Sequence, residues 1–110
     1  MEKTQSIFVE TFGDSPFIRV LDFFLTFSEF DYSKSQVAHE VGISRVTIEG
    51  VWNKLIKEKF LKKTRIVGRG QMYSLDKTNA RVRELLQLDL RLSAARANEE
   101  QKEMIIQQAH

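Results

Sequence analysis

The chain has 110 residues, of which 42% are hydrophobic and 29% are charged, the composition of one globular domain with a short appended element. It contains no cysteine, which excludes disulfides, thiolate metal sites and thiol redox switches. The first residues lack the charged-then-apolar order of a signal peptide, and no apolar run is long enough to cross a bilayer. We therefore expect a cytoplasmic protein without a membrane partner.

The formal net charge is only +2, but the charges are unevenly distributed along the chain. Residues 1–44 carry three basic and seven acidic side chains, residues 45–83 carry eleven and three, and residues 84–110 carry three and five. The middle block therefore has a balance of +8. Such a block is typical of a surface that binds a polyanion, and it is equally compatible with a solvated lysine-rich surface.

The first predicted helix begins at the only proline of the chain. Ser15 as N-cap and Pro16 at the first helical position form a strong helix start, and apolar residues recur at helical spacing up to about Phe27. The preceding apolar stretch from Ile7 to Phe12 is too short to assign. The chain has eight phenylalanines, and their helical spacing favours core packing over a ligand pocket.

Two short helices joined by a glycine turn are predicted next. Ser33 caps a helix that contains the small residue Ala38 and ends at Gly42, and Ser44 caps a third helix. A small side chain at position 38 allows the third helix to cross close by. The buried stripe of that third helix consists of Ile48, Val51, Trp52 and Leu55. This pattern predicts a helix-turn-helix.

A β-hairpin, here called the wing (residues 61–75), is predicted after the third helix. Leu61 to Val67 is rich in β-branched and basic residues, Gly68-Arg69-Gly70 is a turn signal, and Gln71 to Leu75 forms the second strand. A basic hairpin that follows a helix-turn-helix makes it a winged helix-turn-helix.

A last helix is predicted from about Asn79, with polar residues that fray from Asn98 onward. Several leucines here also alternate with period two, a strand signal, but abundant arginine, alanine and glutamate favour a helix. The helix carries two apolar seams, a first through Leu85, Leu88 and Leu92 and a second through Leu86 and Leu90. Packing on one small domain requires only a single stripe. We expect one seam to face the domain and the other to face a second copy, with a dimer interface formed by Leu85, Leu86, Leu88, Leu90 and Leu92.

The outward residues of the third helix are the first group of candidate DNA contacts, because a helix fits the major groove and its N-terminal turns reach the base edges. Arg45 suits guanine, Val46 suits a thymine methyl group, and Asn53 suits a base or a phosphate. Glu49 suits cytosine or holds Arg45, and Gly50 permits close backbone approach. Phosphate contacts are expected from Ser44 and Thr47, and a contact or a plain solvated face from Lys54.

The basic residues of the wing form the second group of candidate contacts. Lys63 and Arg65 lie on the first strand, and Arg69 lies at the tip. An arginine at a wing tip suits a narrow minor groove, where the negative potential is enhanced. Exposed turn and strand residues without a DNA role would show the same pattern.

The segments Gln36-Val37-Ala38, Gly42-Ile43-Ser44-Arg45 and Gly68-Arg69-Gly70, placed after a serine-proline helix start, resemble those of small archaeal winged-helix transcription regulators. The chain is also similar, more distantly, to the MarR-like class. The resemblance covers roughly residues 12–95, and it is specific for the fold more than for one regulator. It implies a homodimer that binds an operator and controls transcription.

The predicted fold is mainly α with a small β-hairpin: a winged helix-turn-helix over residues 1–78 and a C-terminal dimerisation helix over residues 79–110. The expected function is sequence-specific regulation of transcription by a homodimer on double-stranded DNA with an inverted-repeat operator. Two alternatives remain: a sequence-independent DNA-organising or partition protein, and a winged helix that binds proteins. An enzyme, a metal site and a cofactor are not expected, because the two histidines, His39 and His110, have no paired nucleophile or ligand set.

Overall fold

The computed structural model describes residues 5–108, which form five helices and one small sheet. The elements in chain order are α1 (Ile7–Phe12), α2 (Pro16–Thr26), β1 (Tyr32–Ser33), α3 (Lys34–Val41), α4 (Arg45–Lys57), β2 (Leu61–Val67), β3 (Gly70–Leu75) and α5 (Ala80–Gln108). The predicted helices of the helix-turn-helix correspond to α2, α3 and α4, and the wing corresponds to β2 and β3. The mainly helical fold with a small hairpin is therefore confirmed.

Serine residues begin the first four helices. The hydroxyl oxygens of Ser6, Ser15, Ser33 and Ser44 each accept a hydrogen bond from the backbone N–H three residues later, at 3.1–3.2 Å. At α3 the cap is reciprocal, because the Gln36 side chain also accepts from the Ser33 backbone N–H at 2.8 Å. Each cap satisfies a backbone donor that has no partner inside its helix. These local bonds explain why the starts of α2, α3 and α4 are readable from sequence.

The sheet is antiparallel with the strand order β1-β3-β2. The two residues of β1 were not predicted as a strand. Tyr32 lies opposite Tyr73, and Ser33 lies opposite Met72. The wing is therefore not a free hairpin, because its inner strand β3 is also bonded to the segment that leads into α3. A two-stranded hairpin alone is marginal in water, and the third strand supports it.

The core lies between α1, α2, α3, α4 and α5. Its most deeply buried side chains are Phe8, Val20, Phe24, Val37, Leu55 and Val82. Trp52 packs between Phe24 and Tyr73, with ring centroids 5.7 and 5.2 Å apart. Because Trp52 is 3% exposed and is the only tryptophan, it reports on the core. The predicted placement of Trp52 in the core is confirmed.

The expectation that phenylalanines form core holds for most of the eight, but not for all of them. Phe8, Phe24 and Phe60 are buried, and Phe17 and Phe23 pack against the core. The other three are exposed, with exposed fractions of 48%, 43% and 62% for Phe12, Phe27 and Phe30. Phe27 and Phe23 also line an open hollow of about 470 Å³ between α2 and α3. Helical spacing alone therefore overestimated their burial.

Two features of the chain ends differ from expectation. The stretch from Ile7 to Phe12 is helix α1, which packs on α5 with Phe8 buried, and Glu10 forms a salt bridge with Arg96. Helix α5 continues to Gln108, whereas fraying was expected from Asn98. None of the helices between residues 5 and 108 has the length and apolarity that a membrane span requires.

Two carboxyl groups lie at the contact between α2 and α5: Asp22 belongs to α2 and Asp89 to α5. Burial raises the pKa of Asp22 above its usual value, and a hydrogen bond from Ser6 partly opposes that shift. Burial also raises the pKa of Asp89, and the negative charge of Asp22 raises it further. Burial therefore disfavours ionisation of both carboxyl groups at the contact between α2 and α5, and the charge of Asp22 disfavours ionisation of Asp89 further.

Candidate nucleic-acid interface

The turn between α3 and α4 is fixed from both sides. Gly42 adopts the left-handed conformation, with φ 71° and ψ 45°, which costs glycine little. The Ile43 N–H donates to the Ala38 carbonyl at 3.0 Å. From α2, the guanidinium of Arg19 donates to the carbonyl of Val41 near the end of α3. Helix α2 therefore holds the turn that sets the direction of α4.

Helix α4 separates cleanly into a buried and an exposed face. The predicted stripe of Ile48, Val51, Trp52 and Leu55 is buried, which confirms it. The predicted DNA contacts of this helix are all exposed: Ser44, Arg45, Val46, Thr47, Glu49, Gly50, Asn53 and Lys54. Val46 is 85% exposed, the largest value among the exposed large hydrophobic residues of the described chain. Val46 therefore stands as an uncovered apolar side chain at the start of the exposed face.

The polar residues at the start of α4 are differently engaged. Ser44 Oγ caps the helix and also donates to Thr47 Oγ1 at 3.0 Å. Glu49 pairs with Lys34 of α3, with an N–O distance of 2.6 Å, so it does not hold Arg45 as one interpretation expected. Arg45 forms no ion pair with any residue between 5 and 108. Its guanidinium is therefore available at the positive end of a helix.

Lys54 lies further along the same helix, where it contacts an aromatic ring. Its ammonium nitrogen is 4.4 Å from the ring centroid of Phe17. Lys57, in the last turn of α4, is also exposed. Both cations are near the C-terminal end of α4, so they extend the positive charge away from the N-terminal turns. Sequence reasoning did not anticipate the contact with Phe17.

The wing carries its cations on the outer strand and at the tip. All residues from Lys62 to Arg69 are exposed, and Gly68 supplies the left-handed conformation of the turn with φ 59°. Lys63 and Arg69 form no ion pair within the described part of the chain. Arg65 differs from them, because its guanidinium is bound to Asp31. The structure thus leaves two of the three predicted wing cations uncompensated.

No metal centre is formed by residues 5–108, because no three of their histidine, aspartate or glutamate side chains are grouped to hold an ion. His39 is exposed on α3, as expected. His110 lies outside the described residues. The helix-turn-helix and the wing are thus the features of the described chain that point to a function.

No protein-family model and no curated protein matches the chain. Solved structures do match. Staphylococcus aureus MepR, a transcription regulator of the multidrug efflux pump MepA, matches with a TM-score of 0.59 and 12% identity over 92% of this chain and 79% of its own. A Lactococcus lactis ZitR mutant in complex with DNA matches with a TM-score of 0.54 and 16% identity over 81% and 67%. A "possible transcriptional regulator" from Methanosarcina mazei Go1 matches with a TM-score of 0.54 and 17% identity over 82% and 78%.

The chain has a winged-helix fold. At these identities the likeness establishes the fold, and it confirms the predicted fold class. MepR is described as a transcription regulator and the Methanosarcina mazei protein as a possible one, which is the kind of protein that the sequence resembles.

The leucines of α5 that pack against the domain are not those of a single seam, contrary to expectation. One whole seam was expected to face the domain, but Leu85 and Leu92 of the first seam and Leu86 of the second all pack against the core. Leu88 is half-buried, and Leu90 is 66% exposed. The line that faces the domain runs between the two seams, so each seam keeps an outer edge that is not covered by this chain.

Proposed function

We propose that this protein is a sequence-specific, double-stranded DNA-binding transcription regulator of the cytoplasm, not an enzyme, and that it acts as a homodimer. The observation that carries the proposal is the exposed face of α4. Its N-terminal turns present Arg45, which forms no ion pair with residues 5–108, and Val46, which is 85% exposed. The opposite face of the helix is buried in the core. A helix presented in this way matches the geometry of major-groove recognition.

The chemistry of this face suits base reading. Arg45 donates two hydrogen bonds to a guanine edge, and Val46 contacts a thymine methyl group. Asn53, about two turns further along the same helix, contacts a base or a phosphate. Glu49 accepts a hydrogen bond from cytosine if its ion pair with Lys34 opens. The hydroxyls of Ser44 and Thr47 and the ammonium of Lys54 serve as phosphate contacts.

The wing supplies a second contact with DNA. In the proposed complex, Lys63 binds a phosphate and Arg69 enters the minor groove at the tip. Arg65, the third predicted cation of the wing, has its charge offset by Asp31, which makes it a weaker phosphate contact than Lys63 or Arg69. Residues 45–83 together hold the +8 charge balance, which supports binding to a polyanion.

The proposed dimer uses α5 and divides the chain into a DNA-binding unit over residues 1–78 and a dimerisation helix over residues 79–110. Support comes from the uncovered edges of the two leucine seams and from the end of α5. Residues 97–108 are all exposed, and they include Met104, Ile105 and Ile106 with exposed fractions of 58–60%. Such apolar surface is typical of an interface.

A two-fold dimer presents two copies of α4. They reach successive major grooves about 34–36 Å apart, which is one turn of B-DNA. The operator is accordingly an inverted repeat, because the symmetry of the protein is mirrored in its site. The proposed likeness to small archaeal regulators is supported by the Methanosarcina mazei neighbour.

The test is a titration of labelled duplexes at several salt concentrations, with a selected sequence and a random sequence side by side. Affinity should fall steeply with salt, because cations on the protein displace counterions from DNA. Arg45→Ala should lose about 1–3 kcal/mol on the selected site and blunt the sequence preference. Lys63→Ala, the matched control on the wing, should weaken both duplexes about equally.

Three outcomes would contradict the proposal in different ways. If no duplex binds at low salt, DNA binding is refuted, and a protein-binding winged helix is the alternative to test next. If the parent binds selected and random duplexes equally, it organises DNA without reading sequence. If both variants lose the same amount on both duplexes, α4 is not the recognition helix.

A further inference from the structure

One acidic residue outside the wing is bonded to the middle of its outer strand. Asp31 lies just before β1, and 17% of its side chain is exposed. Its carboxylate accepts hydrogen bonds from Arg65 Nε at 2.9 Å, from Arg65 Nη2 at 3.1 Å and from Thr64 Oγ1 at 2.6 Å. Because the guanidinium makes two hydrogen bonds to one carboxylate, the contact fixes the orientation of the Arg65 side chain relative to Asp31.

Both donors lie where the hairpin departs from regular pairing. At a shift of register, two residues of β2, Thr64 and Arg65, face a single residue of β3, Met72. A bulge of this kind bends its strand and increases the local twist. On its other edge Met72 pairs with Ser33 of β1, two residues after Asp31. The carboxylate therefore bonds to the bulge of the wing from the side of the sheet that leads into α3.

A second side chain holds the same bulge from within the wing. Gln71 Nε2 donates to the carbonyl oxygens of Arg65 and Met72, at 3.1 and 3.0 Å. Arg65 is therefore held by its guanidinium and by its carbonyl group. Beyond it, Ile66 and Val67 are 70% and 51% exposed, so the outer end of β2 has little packing of its own. The direction of the wing tip is set at the bulge.

The charge of Arg65 is already matched inside the protein. Hydrogen bonds from Arg65 and then Thr64 hold the pKa of Asp31 at about 2, so its carboxylate is ionised at neutral pH. The other wing cations differ, because Lys62, Lys63 and Arg69 form no ion pair with residues 5–108. Asp31 occupies two of the five N–H donors of Arg65 and offsets its positive charge, so Arg65 attracts a phosphate less strongly than Lys63 or Arg69 does.

The geometry points to Asp31 as a positioning residue for the wing, with Arg65 acting through Asp31 and not through DNA. This inference rests on the proposed DNA binding. The pair clamps the bulge and so fixes the direction in which the tip, Gly68–Gly70, leaves the sheet. Arg69 then meets the groove while α4 lies in the neighbouring one.

The first test needs no DNA and measures amide hydrogen exchange of residues 66–71 in the free protein. Asp31→Asn should accelerate exchange of these amides by about fivefold, because the clamp on the bulge is weakened. The matched control is Glu29→Gln, two residues before Asp31, which removes the exposed ion pair between Glu29 and Lys77. The control should leave the wing unchanged. Equal exchange in Asp31→Asn and the parent would overturn the inference.

The second test uses the sign of an effect on DNA affinity. Removal of an acidic charge from a DNA-binding protein generally strengthens binding. Glu29→Gln should follow that rule, whereas Asp31→Asn should bind about threefold to tenfold more weakly, because the wing tip is no longer directed. Unfolding followed by Trp52 fluorescence confirms that both variants are folded. Tighter binding by Asp31→Asn would overturn the inference.

A double-variant comparison separates the two roles of Arg65. If Arg65 acts through Asp31, the pair Asp31→Ala with Arg65→Ala binds DNA about as well as either single variant. Additive losses would show a direct contact between Arg65 and DNA and would overturn the inference. If the parent binds no duplex at low salt, the proposed function fails, and the exchange experiment alone decides whether Asp31 holds the wing.

Discussion

Gly50 offers a test in which fold stability and DNA binding should change in opposite directions. It lies inside α4 on the exposed face, and a Cβ built there meets no heavy atom of the described chain within 4 Å. The packing of this protein therefore does not require glycine at position 50. Alanine is favoured over glycine in a helix interior by about 0.5–1 kcal/mol, so Gly50→Ala should stabilise the fold by that amount.

The assay is urea unfolding at fixed protein concentration, followed by the fluorescence of Trp52. With a slope of about 1.5 kcal/mol per molar, the midpoint should rise by about 0.3–0.7 M urea. Gly42→Ala is the matched control. Gly42 has φ 71°, so alanine there must adopt a left-handed conformation and should destabilise the fold by about 1–2 kcal/mol. A lower midpoint for Gly50→Ala would refute the helix argument.

The same variant should bind the selected duplex more weakly. The new methyl group would stand between the backbone of α4 and the base edges, in the proposed complex, whereas it meets open space in the free protein. Gly50→Ala should therefore lose affinity for the selected site while it gains stability. If its affinity equals that of the parent, Gly50 does not approach DNA closely, and its presence has no explanation in the interface.

Three further outcomes are expected. Arg69→Ala should lose most affinity where AT-rich sequence flanks the site, because narrow minor grooves attract arginine, and gel-shift titrations with AT-rich and GC-rich flanks measure this. Asp89→Asn should raise the urea midpoint at pH 7, because the folded protein raises the pKa of Asp89 and so disfavours its charged form. The gain should vanish below the usual aspartate pKa, because there Asp89 of the parent is protonated in both the folded and the unfolded state. Leu90→Glu should give monomers by light scattering without unfolding, because Leu90 is 66% exposed, and a dimer that survives would exclude this edge from the interface.

Local chemistry made the helix-turn-helix readable from sequence. Each of its helices starts at a serine whose hydroxyl bonds to the backbone three residues on, and Gly42 supplies the left-handed turn. The stripe on α4 repeats at helical spacing and is buried as expected. These signals act over one or two turns, so they do not depend on the rest of the fold.

Elements that depend on distant partners were not readable. Helix α1 has six residues, too few to be stable alone, and it exists because Phe8 is buried in the core and Glu10 pairs with Arg96. Strand β1 has two residues and exists because β3 lies beside it. Neither segment has a pattern of its own that differs from a loop.

The candidate site shows the same division. The exposure of the outward residues of α4 could be predicted directly from its buried stripe. The ion-pair partners in the site could not be predicted, because Lys34 and Glu49 come from different helices and Asp31 precedes Arg65 by 34 residues. Sequence reasoning therefore identified candidate cations but did not distinguish Arg65, which is compensated, from Lys63 and Arg69.

The geometry of α5 gives a physical reason why one helix can serve both its own domain and a second copy. Val82, Asp89 and Arg96 are seven residues apart and share one line along the helix. Val82 is buried in the core, Asp89 lies near Asp22 of α2, and Arg96 pairs with Glu10 of α1. Since two of these three residues are charged, the contact with the domain is partly polar. The leucines lie on both flanks of that line, where Leu90 remains exposed. In the proposed dimer, Leu90 and residues 97–108 are available to the partner without releasing the domain, so the separation of the two α4 helices is set by α5.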